Sequence, residues 1–414
     1  MLKTARRGLQ RPDLARKKEE EDRQRALAAQ GDRGVVKEVD GFIDQAIEMN
    51  GTEIHIEIIR EGPRVRIRNS DGALAEIATP ESKAYTTYVN RLKVLAGMDI
   101  TNFKTPQRGY FKRSLEDRSI EFEAYSFPSI YGEIMMLKLQ EKKDIELKID
   151  QLGFEGQMLE QYQNLLQKGH GLILVIGPPG NGKNTTLYSS INSLNSTGRN
   201  VCTCETFIKY NLPGVVQGRY DDRSEISYEE YLRSLVYQEP DLMLVGEIKT
   251  AKAAKIVVQA AFAKRFVFGR LVANDAISGI QSFLDMEIEP FLVSTSIHCA
   301  LAQRLIRRLC SSCRQQYTPT AGLIKEIGFP LKSDIKFFRN VGCSECNQTG
   351  FKGYVAIFEL FRPTEQIREM IATREPMQKI RQKAAESGMT TLKKDGIMKA
   401  FQGLTTVEEV LTAL

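Results

Sequence analysis

One stretch constrains this chain more than any other. The six apolar residues Gly171–Ile176 (GLILVI) run without a break into Gly177-Pro178-Pro179-Gly180-Asn181-Gly182-Lys183-Asn184-Thr185-Thr186. A short continuous apolar run is the mark of a strand buried on both faces, hence of a parallel sheet. Further apolar strands follow at Asn200–Cys204, Leu242–Val245 and Phe266–Leu271, with helix-length text between them. Strands alternating with helices require crossover connections, so the expected core is α/β, a mostly parallel sheet covered on both sides.

The segment after the first strand has the pattern G-x-x-x-x-G-K opening a helix. Glycines let successive backbone N–H groups turn inward into a nest for phosphate oxygens. The helix N-terminus adds partial positive charge. On this reading residues 177–185 cradle the phosphates, and Lys183 sits on the β- and γ-phosphates of a nucleotide. The alternative, a glycine turn that binds nothing, leaves the strand–loop–helix context unexplained. The usual residue after the lysine is Ser or Thr, whose hydroxyl holds Mg²⁺. Here it is Asn184. An amide oxygen can coordinate a hard cation, but Mg²⁺ tolerates poor octahedra badly. Phosphate binding is therefore expected to survive better than metal placement. About 60 residues on, Asp241-Leu242-Met243-Leu244-Val245-Gly246-Glu247 reads as an apolar strand ending in an acid. An acid there faces the phosphates and can orient water or hold the metal.

Four of the seven cysteines fall into two C-x-x-C pairs, Cys310/Cys313 and Cys343/Cys346, with about 29 residues between the pairs. Two such hairpins can bring four thiolates around a tetrahedral Zn²⁺. With no open position the ion would be structural, supplying folding free energy to a piece with a small core. Four reduced buried cysteines, or a disulfide pair formed in an oxidising compartment, are the alternatives. Cys202, Cys204 and Cys299 lie in apolar text and read as core.

At 414 residues the chain can hold two or three domains. Residues 1–34 form a charged, apolar-poor tail, read as disordered or as an exposed helix. Residues 35–146 read as a small α+β domain: a helix over Val36–Met49, strands at Glu53–Ile58 and Val65–Arg68 joined to the next by a Ser70-Asp71-Gly72 turn, a helix near Tyr85–Leu95, and strands at Ile120–Ala124 and Ile134–Leu139. Residues 147–309 hold the phosphate-loop core, 310–360 a cysteine-bearing insert, and 361–414 a largely helical end. Arg304, Arg307 and Arg308 read as a basic helix face, solvated or between subunits. His55 reads as a half-exposed strand residue, and His170 and His298 have no ligand-spaced partners.

The net charge is +6, and about +4 of it falls in the first 34 residues, where ten basic residues stand against six acidic. The folded part is thus near neutral and the chain has no tryptophan. Both facts argue against a nucleic-acid motor, which needs basic and aromatic residues interleaved along a groove. No apolar run approaches the ~20 residues needed to span a bilayer, and the N-terminus lacks the apolar core of a secretory signal. With an odd cysteine count, these features favour the cytoplasm.

Taken together, residues 36–414 resemble the ATPases that drive type II secretion and type IV pilus assembly. The resemblance is carried by Glu53-Ile54-His55-Ile56-Glu57, Val94–Ile100 and Tyr131-Gly132-Glu133 in the first domain. It continues through the phosphate loop, Asp241–Lys249, Ala302–Cys310, Gly388–Leu392 and Gly403–Leu411. It implies a RecA-like P-loop NTPase core preceded by a PAS-like α+β domain and followed by a zinc-binding and helical region. It further implies ATP, Mg²⁺ and Zn²⁺ as cofactors and a hexamer held peripherally on the cytoplasmic face of the inner membrane. There the hexamer would drive a platform that assembles pilin-like subunits. Glu247, Glu205 and Arg233 match catalytic positions.

Several other matched positions depart from the family pattern. The acidic box reads Glu205-Thr206-Phe207, keeping only its first acid; the histidine box reads Val272-Ala273-Asn274-Asp275-Ala276, without its histidine. A second arginine is Tyr237, the Arg-Asp pair after Glu247 is Lys249-Thr250, and an arginine of the first domain expected to reach the nucleotide is Glu123. The resemblance therefore implies weakened hydrolysis, or a nucleotide-binding but inactive scaffold or regulatory subunit in a mixed ring. A carboxylate at Glu123 facing a triphosphate would repel it.

Overall fold

A computed structural model describes residues 33–69, 72–115, 119–141, 143–144, 147–221, 224–328 and 336–414. The charged tail, up to residue 32, lies outside the described residues, as do Ser70 and Asp71 of the expected turn. The chain divides into two units, 1–142 and 143–414.

The first unit is an antiparallel sheet of six strands: β1 (Gly51–Ile59), β2 (Gly62–Asn69), β3 (Leu74–Ala78), β4 (Gln107–Ser114), β5 (Ser119–Ser129) and β6 (Gly132–Glu141), in the order β3-β2-β1-β6-β5-β4. Strand alternation decides its faces. Ile54, Ile56, Val65 and Ile67 are buried and pack with Val39 and Ile43 of the helix Arg33–Glu48 and Val89 and Leu92 of the helix Tyr85–Leu95. The intervening residues carry charge that is paired across strands: Arg66 and Arg64 each reach Glu57 at 2.8 Å, and Arg68 reaches Glu53 at 2.8 Å. His55, half-buried as expected, also contacts Glu53 at 3.0 Å. Gly109 of β4 must be glycine, because a Cβ there would lie 2.2 Å from the carbonyl oxygen of Ala96.

In the second unit, after the short strand β7 (Lys143–Asp144), seven strands form the main sheet: β8 (Gly171–Ile176), β9 (Val201–Glu205), β11 (Val216–Arg219), β12 (Leu242–Val245), β13 (Phe266–Leu271), β14 (Ile297–Leu309) and β17 (Phe351–Phe361). Their order is β11-β9-β12-β13-β8-β14-β17, parallel throughout except for the antiparallel β14–β17 pair at one edge. The short β10 (Tyr210–Asn211) pairs with β7, and β15 (Gln315–Tyr317) with β16 (Phe337–Arg339). Every residue of β8 is buried, and its side chains serve two cores. Leu172, Leu174 and Ile176 pack on the side of the helices Tyr228–Val236, Ala251–Phe262, Ala276–Asp285 and Pro290–Ser296. Ile173 and Val175 pack on the side of the helices Gln157–Leu166 and Lys183–Leu194. This two-sided burial is why the run shows no polar alternation.

Two sequence readings change. Arg304, Arg307 and Arg308 lie on strand β14, not on a helix. Arg304 is buried, donating to the carbonyls of Asn274 (2.5 Å), Gln303 (3.1 Å) and Ala413 (3.3 Å), while Arg307 pairs with Glu409 and lies over the Phe351 ring. The basic spacing of three and four mimics a helix face. The run is nevertheless a strand, because β8 and β17 flank it and take up its backbone groups. Second, the stretch 310–360 divides: the chain returns to the main sheet at Phe351, so only 310–350 stands outside it.

Candidate functional site

The phosphate loop lies between β8 and the helix Lys183–Leu194. Gly182 takes the left-handed conformation (φ 73°) just before the helix, and a Cβ there would come within 2.7 Å of the Gln303 side chain. At Gly177 a Cβ would lie 2.5 Å from the Gln303 carbonyl oxygen. β14 thus braces the loop closely enough to demand glycine at both ends. Side chains strengthen the brace. Asn181 accepts from the Leu305 N–H (2.8 Å) and donates to the Pro179 carbonyl (3.2 Å); Thr186 donates to Gln303 (2.7 Å). Thr185 contacts the Tyr210 hydroxyl at 3.3 Å. The first-turn N–H groups of the helix have no intrahelical acceptor and are the natural donors to phosphate.

Lys183 is buried, and its ammonium donates to the carbonyls of Gly177 and Pro178, each at 2.5 Å. Burial and the nearby Arg270 guanidinium pull its pKa down to about 8, against the opposite effect of Glu247. The ammonium therefore rests on its own loop, among groups a phosphate would relieve.

Glu247 follows β12 by two residues. Its Oε2 lies 3.2 Å from Arg270 and 3.2 Å from Lys249. Arg270, on β13, extends its other nitrogen to Asn184 Oδ1 at 2.9 Å. Mg²⁺ in a P-loop site is held by the residue after the lysine and by an acid at the end of another strand, the positions of Asn184 and Glu247 here. In this chain one guanidinium is hydrogen-bonded to both. Sequence reading passed over Arg270, although a lone arginine inside the apolar run Phe266–Leu271 was the signal that could have found it.

Glu205, at the end of β9, is buried and accepts from the Tyr188 hydroxyl at 2.5 Å. Arg233 is exposed on a helix whose buried residues are Leu232 and Leu235, and among the described residues it makes no hydrogen bond or ion pair with the loop. In the first unit, Glu123 is buried and paired with Arg108, whose Nε donates to it at 2.7 Å. It is therefore a neutralised carboxylate rather than a bare one.

The four expected cysteines come together, with their sulfurs within 4.8 Å of one another. The closest pairs are Cys343–Cys346 at 3.7 Å, Cys313–Cys346 at 3.8 Å and Cys310–Cys343 at 3.9 Å. A tetrahedron with Zn–S bonds of about 2.3 Å has S···S edges of about 3.8 Å, so the set fits the ion. Backbone N–H groups of Cys343 and Gly350 each point to Cys346 Sγ at 3.2 Å. Burial raises that thiol's pKa, but these bonds outweigh it and hold it down to about 6. Cys202, Cys204 and Cys299 are core, as expected. His170 and His298 meet edge to face, ring centroids 4.9 Å apart.

The sequence pattern of the family described as "Type II/IV secretion system protein" matches residues 28–412. The chain belongs to that family. It is similar to the type II secretion system protein E of Aeromonas hydrophila, with 36% identity over 93% of this chain and 76% of the relative. It is also similar to the type IV pilus assembly ATPase PilB of Myxococcus xanthus, with 34% identity over 95% of this chain and 70% of that one. Among solved structures, the pilus retraction motor PilT with bound ADP superimposes with a TM-score of 0.65 at 22% identity, over 90% of this chain and 95% of that one. The Legionella pneumophila ATPase DotB gives 0.64 at 15% identity, over 90% and 94%. At such identities these structures show the fold alone, α/β with a mostly parallel sheet.

This secretion-family chain keeps the frame of the site and alters its contents. Val272 and Ala273, which open the box that lacks its histidine, follow Leu271 of β13 directly, and Val272 is exposed. Arg270 sits two residues before them on the same strand. No helix among the described residues is long and apolar enough to cross a membrane.

Proposed function

We propose that this chain is an ATP-binding motor-type subunit of a type II secretion or type IV pilus assembly system, with hydrolysis weakened. The observation that carries the reading is the braced phosphate loop: a buried strand, obligate glycines at 177 and 182, and Lys183 at the start of the helix. A cleft of about 410 Å³ adjoins it, lined by Leu147, Gly182, Thr185, Leu305, Tyr354 and Val355, and offers an apolar wall for the base. On this reading the loop residues 177–185 hold the phosphates, and Glu247, Glu205 and Arg233 are the catalytic candidates that the family resemblance supplies. The cysteine cluster holds a structural Zn²⁺. The subunit works in a hexamer, peripheral on the cytoplasmic face of the inner membrane, against a membrane platform and without nucleic acid.

A second reading is a nucleotide-binding scaffold or regulator in a mixed hexamer, without turnover and free of the metal chemistry that bridges the β- and γ-phosphates. Arg270 in contact with both Asn184 and Glu247 favours it, because phosphoryl transfer relies on the metal to neutralise developing charge. The test is ATP hydrolysis by the purified protein, with Lys183→Ala as the blank and Asn184→Thr alongside. A rate above the blank supports the motor. Nucleotide binding that Lys183→Ala abolishes, with no turnover, supports the scaffold. No binding by the unaltered chain would refute both.

A further inference from the structure

We propose that the Arg270 guanidinium takes the place of the divalent cation in the phosphate site, so that this chain binds a nucleoside di- or triphosphate without metal. The inference rests on the reading of the loop as a nucleotide site and adds what neutralises the ligand there.

Arg270 is the fifth residue of β13, paired in register with Val175 of the strand that enters the loop. That register brings its head group to the rim of the loop. One nitrogen donates to Asn184 Oδ1 at 2.9 Å and another to Glu247 Oε2 at 3.2 Å. These are the residue after the loop lysine and the acid beyond β12, from which a P-loop protein holds Mg²⁺ directly or through water. A cation thus already spans the two positions, and it is covalently part of the chain.

The asparagine at 184 suits this arrangement. A hydroxyl beside a metal can be both ligand and donor, whereas an amide oxygen presents a longer, acceptor-only face that suits a guanidinium N–H. Glu247 is neutralised by Arg270 and by Lys249, also at 3.2 Å, and has little negative charge left to attract a second cation. Mg²⁺ entering here would lose both protein ligands and stand against a fixed positive charge.

The remaining electrostatics point the same way. Lys183, the other cation at the loop, is buried and donates to the carbonyls of Gly177 and Pro178. Arg270 is partly exposed, and the two bonds use two of its five donors among the described residues. A guanidinium binds phosphate oxygens in a planar two-point fashion and is the least strongly hydrated of the protein cations.

Calorimetric titration with ADP and with a non-hydrolysable ATP analogue, each in excess EDTA and in excess Mg²⁺, tests the proposal on the full chain. The expected dissociation constants in the two media agree within about threefold. Arg270→Lys retains metal-free binding. Arg270→Gln weakens it by about tenfold or more, the scale of one charge-assisted phosphate contact. The pair Asn184→Thr with Arg270→Thr makes binding depend on Mg²⁺. Binding by the unaltered chain that requires Mg²⁺ would overturn the proposal while leaving the nucleotide site intact. So would an Arg270→Gln variant that folds normally and keeps full metal-free affinity. Absence of binding in both media would overturn the nucleotide reading and this proposal with it.

Discussion

Replacing Lys399 by methionine should destabilise the second unit far more than an ordinary surface change. Lys399 is fully buried on the helix Leu392–Phe401. Its ammonium donates to Asp395 Oδ2 at 2.7 Å and to the Ala356 carbonyl of β17 at 2.7 Å. Asp395, also buried, accepts the Phe358 N–H at 2.8 Å. One ion pair therefore ties the helix to the edge strand of the main sheet. Burial raises the Asp395 pKa even with the lysine present, the Lys399 charge acting against it. Lys399→Met leaves that carboxylate buried without its counter-ion, at a cost of about 3–5 kcal/mol. Adding Asp395→Asn keeps an oxygen for the Phe358 N–H and removes the charge. The residual loss is then the Ala356 carbonyl's bond, about 1–2 kcal/mol. Recovery by the second substitution is the signature of a buried charge rather than of lost packing. The deficit of Lys399→Met should also shrink as pH falls, because the stranded carboxyl then takes up a proton. Urea unfolding followed by tyrosine fluorescence and circular dichroism, with the two units fitted as separate transitions, reads these differences. A single-variant cost below about 1 kcal/mol, or a double variant no better than the single, would refute the reasoning.

Two further outcomes are expected. Nucleotide affinity should be flat below pH about 8 and fall as pH rises through it. Lys183, faced by Arg270, Arg304, Glu247 and the carbonyls of Gly177 and Pro178, loses its proton there unless a phosphate restores it. Proton uptake on binding at alkaline pH, read from the buffer dependence of the titration heat, checks this. The ligand-free unit should conversely gain stability over the same rise, since its unfolded chain binds the proton more tightly. Second, chelating the metal, or Cys346→Ala, should open residues 310–350 to proteolysis while the β8 amides keep their protection from hydrogen exchange. Simultaneous loss of both would show that the cluster supports the whole unit.

Much of the fold could be read from the residues because each signal was local. The run at 171–176 needed no partner to declare a doubly buried strand, and Leu172 and Ile173 indeed serve opposite cores. The helix expected at Tyr85–Leu95 and the cysteine pairs were equally legible, being matters of periodicity and spacing. What escaped was decided by neighbours distant in sequence. Arg304 is buried because the carbonyls of Asn274 and Ala413, far off in sequence, converge on it beside that of Gln303, which no periodicity reveals. The partner of Glu123 is Arg108, 15 residues away on the adjoining strand. Arg270 meets Asn184 across 86 residues, so the meaning of the asparagine depended on a residue that reads, in sequence, as part of a strand.

β14 also has a mechanical side. Near its middle, Gln303 and Leu305 hold the side chains of Thr186 and Asn181, and it ends at Leu309, one residue before Cys310. Its antiparallel neighbour β17 begins at Phe351, five residues after Cys346. The thiolate cluster is therefore a rivet closing the ends of two adjoining rods. The seven residue steps from Gln303 to Cys310 span about 23 Å at the usual rise of an extended strand. A hydrogen-bonded strand pair bends more readily than it stretches. The phosphate loop and the cysteine cluster are thereby fastened to one continuous strand.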